Sequence, residues 1–313
     1  MPSNRHIERY VAPIDETPVA GVDAVDTSQK ASSVWGDAWK DMRKRWMTWV
    51  CFALIVLVLL AVAFPQLYTR TDPDYKSLMD SLEGPTEGHP LGFNKQGQDV
   101  FARLIWGARA SVIVGLLATV LTSLIGGIVG AIAGYYGGWL DAVVSRIGDI
   151  FFAIPSVLGA IVVMTVLPFR NVFSIAITLA IFGWPQVARI MRGAVLTAKN
   201  ADYVTASIAL GVSRGKILLR HVIPNALAPV IVITTVSLGA YIVAEATLSF
   251  LGIGLGDSAI SWGMDISAAQ STLRVKPELL LWPSAALAVT VLSFLLLGDV
   301  VRDALDPKAR SRR

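Results

Sequence analysis

The feature that most constrains this chain is a set of long apolar runs, each close to the length that a helix needs to cross a bilayer. The hydrocarbon core of a bilayer takes about 20 helical residues to span. Of the 313 residues, 54% are hydrophobic and only 16% are charged, whereas soluble domains carry about a quarter charged residues. Because lipid offers the backbone no hydrogen-bond partners, a spanning segment is a helix by default. The sequence therefore predicts an all-α integral membrane protein.

Six transmembrane helices are predicted, at about residues 46–68, 111–136, 148–167, 172–190, 224–251 and 281–297. We expect the fourth to be interrupted at Gly183–Pro185, because proline removes a helical hydrogen bond. An even number of spans places both termini on one side. With the amino end inside, nineteen of the 27 Lys and Arg residues lie on inner segments and eight on outer ones. The positive-inside rule then makes both the N and C termini cytoplasmic.

The apolar runs divide the chain into four parts. We predict a disordered cytoplasmic tail at 1–45, a first span with an extracytoplasmic segment at 46–107, a core transmembrane domain at 108–305 and a basic cytoplasmic tail at 306–313. The basic residues before the first span, its apolar run and AVA at Ala61–Ala63 resemble a secretory signal with its cleavage site. The apolar run is longer than the usual core of about 7–15 residues and follows a long polar tail, which favours an uncleaved anchor.

Charge and metal-ligating residues exclude several classes of function. The net charge is +4, but the basic residues cluster in particular loops, as a topology signal does, and we expect no nucleic-acid partner. Cys51 is the single cysteine, so no internal disulfide or cysteine metal cluster is possible. His6, His89 and His221 are far apart and have no ligand spacing. We therefore predict no metal site.

Glycines recur every four residues in and after the second span. Such spacing places small residues on one helical face, where another helix can approach closely. It predicts a tightly packed bundle without naming a function. The residues concerned are Gly126, Gly130, Gly134 and Gly138.

The stretch ADYVTASIALGVSRGKILLRHVIPN lies between two spans on the predicted inner side. Tyr203–Leu210 contains good helix formers, and Gly211 can adopt the left-handed conformation that ends a helix. Ser213 can cap a second short helix from Arg214, and Pro224 suits the first turn of the next span. This second helix would present its apolar side through Ile217, Leu218, Val222 and Ile223. The pair is either a rigid docking knob or an interfacial helix resting on lipid headgroups.

Two chemical motifs nearly occur in the same stretch. GVSRG, at 211–215, matches the G-x-S-x-G nucleophile elbow, which needs a strand before the serine. Both flanks are predicted helical, and no His and Asp occupy plausible partner positions, so a hydrolase using Ser213 is a minor alternative. GVSRGKI resembles a phosphate loop but is one residue short, and Ile217 replaces the Ser or Thr that would bind magnesium. We expect no catalytic residue and no ATP site in this chain.

Glu245 is an acidic residue within the predicted fifth span, which makes it a functional candidate. At about 1.5 Å per residue it lies some 30 Å from Pro224, near the outer face. We predict that Glu245 either reaches the headgroups or serves a gate or solute pathway.

The stretch resembles the coupling motif of ABC importer permeases, which reads E-A-A, three residues, G, and a later L-P. Thr205, Ala206 and Ser207 take the E-A-A positions, Gly211 the glycine, and Ile223–Pro224 the L-P. The blocks HPLGFNKQGQDVFARLIWGARASVIVGLL, IAGYYGGWLDAVVSRIGDIFFAIPSVL, EATLSFLGIGLG, SWG and LLGDVVRDALDPKAR resemble the dipeptide, oligopeptide and nickel permeases. The likeness covers about residues 40–310 and points to the C-type inner-membrane subunit.

The sequence departs from this pattern at several positions. Thr205 replaces the coupling glutamate, which puts in doubt an ion pair with the ATPase there. Phe93 and Asn94 stand where relatives often have Thr-Asp, and Gln98 where they have Arg.

The resemblance implies a type I importer permease fold in the bacterial plasma membrane. It implies a transmembrane subunit for ATP-driven uptake of di- or oligopeptides, with nickel or another small solute as the alternative. The implied partners are a homologous second permease, two ATPase subunits or one fused ATPase that bind ATP and magnesium, an extracytoplasmic binding protein, and lipid. An ATPase-independent channel or scaffold remains an alternative of another class. The implied coupling residues are Tyr203, Thr205, Ala206, Ser207, Leu210, Gly211, Arg220 and Pro224, within a coupling helix at about 200–222.

Overall fold

The structure is a computed structural model that describes residues 34–256 and 259–305. The predicted tails before residue 34 and after residue 305 lie outside these residues. All named elements of the described part are helices. The α-helices are α1 Val34–Lys44, α2 Trp46–Ala63, α3 Val100–Tyr136, α4 Gly138–Ala153, α5 Ser156–Val166, α6 Val172–Ala198, α7 Asp202–Ala209, α8 Arg214–Ile217, α9 Ile223–Phe250, α10 Trp262–Ala269 and α11 Glu278–Leu305. Short 3₁₀ helices lie at Pro65–Leu67, Leu78–Asp80 and Gln270–Thr272.

Five helices in the described ranges are long and apolar enough to cross a membrane, and a bent pair makes a possible sixth. The five are α2, α3, α6, α11 and the continuous helix Arg214–Phe250, which joins α8 to α9 through a π-helical turn at Leu218–Val222. This confirms the predicted all-α membrane fold.

The third predicted span, 148–167, does not form one straight helix. α4 and α5 meet at 88°, and the break falls at Ile154 and Pro155. Ile154 has extended backbone angles, φ −95° and ψ 121°, because the proline ring disfavours the helical conformation of the preceding residue.

The predicted interruption of the fourth span is wrong, since α6 runs without a break through Pro185. Pro185 is buried, and packed neighbours let a membrane helix tolerate the lost backbone hydrogen bond.

Helix α3 begins earlier in the sequence than its apolar run. The Asp99 carboxylate accepts hydrogen bonds from the amides of Phe101 and Ala102, 2.8 and 3.1 Å away, which caps the helix.

Part of the region predicted as a disordered tail is helix α1. Ala38 is buried against Ala304 and Leu305 at the end of α11. Arg45, just after α1, forms an ion pair with Asp303 of α11, with 2.7 Å between Nη1 and Oδ2. These contacts hold α1 across the end of the bundle.

Residues 64–99 join α2 to α3 and form an ordered, mostly irregular segment. Its two halves are hydrogen-bonded: the amide of Phe93 donates to Glu83 O at 3.0 Å, and that of Ser77 to Gly97 O at 3.3 Å. Gly97 has φ +68°, and a Cβ there would overlap the Ser77 carbonyl. The close approach of these two strands of chain therefore requires glycine at 97.

Candidate functional site

The α7–α8 segment, residues 202–222, is a helix, a tight turn and a second helix. Gly211 has φ +75°. Its amide donates to Ile208 O at 2.9 Å, and the amide of Val212 donates to Ser207 O at 3.1 Å. These two bonds make a Schellman motif, the helix ending that a left-handed glycine allows. The predicted conformation of Gly211 is therefore confirmed.

One face of this segment is anchored in the bundle. Val204, Ile217 and Val222 are almost completely buried. They belong to an apolar cluster with Val195 of α6 and Ala226 of α9. The predicted apolar side of the second helix thus faces the protein, so the segment is attached to the ends of two spanning helices.

Three large apolar side chains of α7 and its end are exposed. Leu210 is 84% exposed and Ile208 58%, while Tyr203 is 43% exposed. We call these three residues the α7 tip. An exposed apolar patch on a rigid element is typical of an interaction site.

The other predicted coupling residues lie in α7, in the π-helical turn and at the start of α9. Thr205, Ala206, Arg220 and Pro224 are exposed, and Ser207 Oγ donates to Tyr203 O at 2.7 Å. Pro224 lies in the first turn of α9. Their role in coupling stays a prediction.

Ser213 lacks the surroundings that a hydrolytic nucleophile needs. It occupies the residue before α8, but its side chain makes no capping hydrogen bond, unlike the predicted cap. α7 precedes it where the nucleophile elbow needs a strand. The predicted hydrolase alternative therefore has no structural support.

Helices α3 and α6 pack closely through three of the four predicted glycines. A Cβ on Gly126 would lie 2.6 Å from Trp184 O, and one on Gly134 would lie 2.9 Å from Arg192 O. A Cβ on Gly130 would overlap the backbone of Ala188. The face of α3 that carries these glycines is thus in backbone contact with α6.

The prediction that Gly138 shares this face is wrong. α3 ends at Tyr136, and Gly138 has φ +61° at the start of α4, with nothing within 4 Å of a Cβ built there. The turn between the helices moves Gly138 away from α6.

Ion pairs that the sequence did not reveal join α4 to α6. The Arg192 guanidinium makes two hydrogen bonds to the carboxylate of Asp141. Arg189 pairs with Asp149 at 3.2 Å and lies 4.0 Å above the Phe152 ring. The paired residues are 51 and 40 positions apart in the sequence, so no local sequence pattern predicts these ion pairs.

Glu245 lies inside the protein and does not reach headgroups, so that part of the prediction is wrong. The side chain is completely buried. Ser249 Oγ donates to Oε1 at 2.8 Å, whereas Oε2 has no hydrogen-bond partner. The buried Ser111 of α3 and Ser261 before α10 lie beside the carboxyl. A role in a gate or solute pathway stays a prediction.

Metal ligands do not cluster in the described ranges, where no three His, Cys, Asp or Glu side chains are grouped to hold an ion.

Comparisons with known proteins identify the fold. Over 65% of this chain and 96% of the other, the structure superposes on an inward-facing form of the MetNI methionine ABC transporter with a TM-score of 0.53. The sequence identity is 19%, so this likeness concerns the fold alone.

Relatives of higher identity cover nearly the whole chain. The oligopeptide transport system permease protein OppC of Bacillus subtilis is 39% identical, over 92% of this chain and 94% of that protein. The glutathione transport system permease protein GsiD of Pectobacterium atrosepticum is 36% identical, over 88% and 92%. The dipeptide transport system permease protein DppC of Alkalihalophilus pseudofirmus is 34% identical, over 94% and 97%.

Two family descriptions match separate parts of the sequence. Residues 33–85 match the N-terminal TM domain of oligopeptide transport permease C. Residues 126–311 match the binding-protein-dependent transport system inner membrane component. The chain is therefore a multi-pass inner-membrane permease that belongs to the family of binding-protein-dependent transport system inner membrane components.

Proposed function

We propose that this chain is the transmembrane subunit of an ATP-driven importer of di- or oligopeptides. The observation that carries the substrate class is that relatives matching nearly the full length are named for oligopeptides, dipeptides and glutathione. These solutes share peptide chemistry. The subunit supplies one half of the pathway and alternates between inward-open and outward-open forms.

The proposed partners follow from the family. A homologous second permease completes the pathway, and two ATPase subunits, or one fused ATPase, bind ATP and magnesium below it. An extracytoplasmic binding protein delivers the peptide. Both termini of this chain are cytoplasmic in this arrangement, in agreement with its excess of basic residues on the inner segments.

The α7 tip is the proposed contact with the ATPase. Tyr203, Ile208 and Leu210 enter an apolar cleft of that subunit, which covers surface that is otherwise exposed. Because Val204 and Ile217 fasten the segment to the bundle, closure of the ATPase pair moves α6 and α9 with it.

Thr205 shapes the chemistry of this contact. Its hydroxyl cannot make the ion pair that a glutamate would make. The proposed contact therefore depends on apolar burial rather than on charge, and its affinity changes little with salt.

Purification and reconstitution test the proposal. We would tag the carboxyl end, purify the chain in mild detergent, identify the co-purifying proteins by mass spectrometry and place the complex in proteoliposomes with its binding protein. The expected result is recovery of a second permease and ATPases, and uptake of a labelled dipeptide that requires ATP.

Three results would contradict the proposal. ATP-driven uptake of nickel but not peptide would assign the other substrate of the family. Recovery of the folded chain alone would indicate a channel or scaffold, as would solute flux that does not depend on ATP.

A further inference from the structure

A cavity of about 710 Å³ lies at the end of the bundle opposite α7. It is an open cleft lined by the 64–99 segment, the start of α3, α10 and the start of α11. Its volume falls within the range of about 300–1,000 Å³ that is typical of small-molecule sites. In the predicted orientation it opens to the extracytoplasmic side, where solute arrives.

One part of the cavity wall is apolar. α3 contributes Val100 and Leu104, α10 contributes Met264, and α11 contributes Leu279 and Pro283. We call this apolar part of the wall the floor. Val100, Leu279 and Pro283 are buried, so the floor is part of the packed structure. It offers a surface on which an apolar side chain of a solute can lie.

The remaining wall carries an excess of positive charge. Lys76, Lys95 and Arg103 line the cavity together with Asp74 and Asp265. Arg103 and Asp265 are paired at 2.6 Å and neutralise each other. Within the described ranges, no carboxylate lies within ion-pair distance of Lys76 or Lys95.

The backbone around the two lysines is held in place before any solute arrives. The amide of Ser77, next to Lys76, donates to Gly97 O at 3.3 Å. Ser81 Oγ donates to the carbonyl of Lys95 at 2.8 Å. Both lysines therefore sit on fixed backbone beside one cavity, which reduces the entropic cost of binding an anion between them.

We propose that this cavity binds a short peptide by its free carboxylate, which lies between Lys76 and Lys95 while an apolar side chain rests on the floor. This inference rests on the proposed function and adds to it an entry site on this subunit. The charge-assisted hydrogen bonds of two ammonium groups select a carboxylate, and the apolar floor selects peptides that end in a large apolar residue.

A carboxylate could also come from an acidic side chain of the extracytoplasmic binding protein. The solute is favoured because the lysines border a concave cleft of about 710 Å³ with an apolar floor, which a small molecule can fill. The binding assay therefore leaves the binding protein out, and its affinity for the transporter is measured separately.

The test is isothermal titration calorimetry on the complete transporter in lipid nanodiscs, without ATP. The probes are alanyl-phenylalanine and the same dipeptide as its carboxyl-terminal amide. The free acid is expected to bind and the amide to bind less tightly. Replacing both lysines (K76Q together with K95Q) is expected to weaken binding of the free acid by about five- to tenfold, as expected for two charge pairs at exposed lysines, without changing that of the amide.

Lys276→Gln is the matched control. Lys276 pairs with Glu278 at 3.6 Å and does not line the cavity. The control removes one positive charge near α11 and is expected to leave the affinity for the free acid unchanged.

Several results would overturn the cavity assignment. They are no binding of the free acid, equal affinity for acid and amide, or equal affinity of wild type and the double variant for the acid. A double variant that loses affinity only for the binding protein would assign the lysines to that protein and would also overturn it.

Uptake measurements separate this inference from the proposed function. ATP-driven uptake of alanyl-phenylalanine with the same concentration dependence in wild type and double variant would refute the cavity assignment alone. Lysine-dependent binding of the free acid without any peptide uptake would support the cavity and refute the importer function.

Discussion

Arg103 of α3 donates two hydrogen bonds to a single carboxylate oxygen of Asp265 on α10, 2.8 Å from Nε and 2.6 Å from Nη2. The two side chains are only 13% and 15% exposed. The pair joins the start of a spanning helix to the short helix that packs on α9, and it forms one side of the charged cavity.

Asp265→Asn is expected to raise the thermal stability of the transporter at pH 7. Burial raises the pKa of Asp265 above the usual range for an aspartate, and the nearby Arg103 guanidinium only partly opposes this. The folded protein therefore disfavours the charged carboxylate relative to water, and asparagine avoids this cost. Unfolding in detergent, followed by differential scanning fluorimetry, measures the difference.

The same cause predicts a pH dependence. Because the folded-state pKa lies above the unfolded one, the wild type gains stability as pH falls through the folded value toward the unfolded value. The gain of Asp265→Asn therefore shrinks on acidification. Asp74→Asn is the control, since Asp74 is 64% exposed and 4.0 Å from Arg103, and it is expected to change little. If Asp265→Asn unfolds at a clearly lower temperature than wild type at pH 7, the ion pair with Arg103 stabilises the protein by more than burial of the carboxylate costs.

The features that the sequence predicted correctly depend on local chemistry. The left-handed turn at Gly211 requires only the residue type and its immediate neighbours. The spacing of Gly126, Gly130 and Gly134 likewise places them on one helical face, which depends only on the period of a single helix. Local rules are therefore sufficient to locate the α7–α8 segment in the sequence. The predicted start of a separate spanning helix at Pro224 is nevertheless wrong, because the helix continues unbroken from Arg214 to Phe250.

Features that depend on distant neighbours were not predictable. The exposed Pro155 breaks its span, whereas the buried Pro185 lies inside a continuous helix. The local effect of proline is the same at both positions, so only the packing around Pro185 explains why its helix continues. Arg103 and Asp265 are 162 residues apart, so no spacing rule connects them. Helix α1 was not predicted because the sequence that contains it is largely polar. Its stabilising contact, between Ala38 and the end of α11, joins residues far apart in the chain.

Gly130→Ala is expected to destabilise the contact between α3 and α6. The added Cβ would overlap the backbone of Ala188, and backbone cannot move aside as a flexible side chain can. Overpacking of this kind costs about 1–3 kcal/mol, which would lower the melting temperature in detergent.

Gly127→Ala is the control for this change, because a Cβ at Gly127 meets nothing within 4 Å. Alanine is the better helix former by up to about 1 kcal/mol, so this variant is expected to be as stable as wild type or more so. Equal melting temperatures for the two variants would show that the helices are not in backbone contact at Gly130.

Leu210→Asp is expected to release the ATPase from the complex without unfolding the permease. Leu210 is 84% exposed, so the substitution removes no internal contact, but it would bury an unpaired charge in the proposed cleft. The ratio of ATPase to permease after purification measures the loss. Leu273→Asp makes the same change at a 47% exposed residue near the other end of the bundle and is expected to keep the ratio. Retention of ATPase by both variants would place the contact elsewhere.

Gly211→Val is expected to uncouple ATP hydrolysis from uptake. A left-handed backbone costs a residue with a side chain about 1–2 kcal/mol, and a β-branched side chain is strained most. Relief of this strain would change the turn after α7 and displace Leu210 from its cleft. The expected result is about a tenfold fall in dipeptide uptake per ATP hydrolysed, which corresponds to about 1.4 kcal/mol.

Gly215→Val is the matched control, because Gly215 lies in α8 and a Cβ there also meets nothing within 4 Å. Both variants add the same side chain to open space four residues apart, and of the two glycines only Gly211 has a positive φ. A fall in uptake per ATP at Gly211 alone would therefore identify the backbone turn as the coupling element. Equal losses at both positions would mean that added bulk on this surface disturbs the ATPase. Full uptake in both would show that the turn does not transmit ATPase closure to the spanning helices.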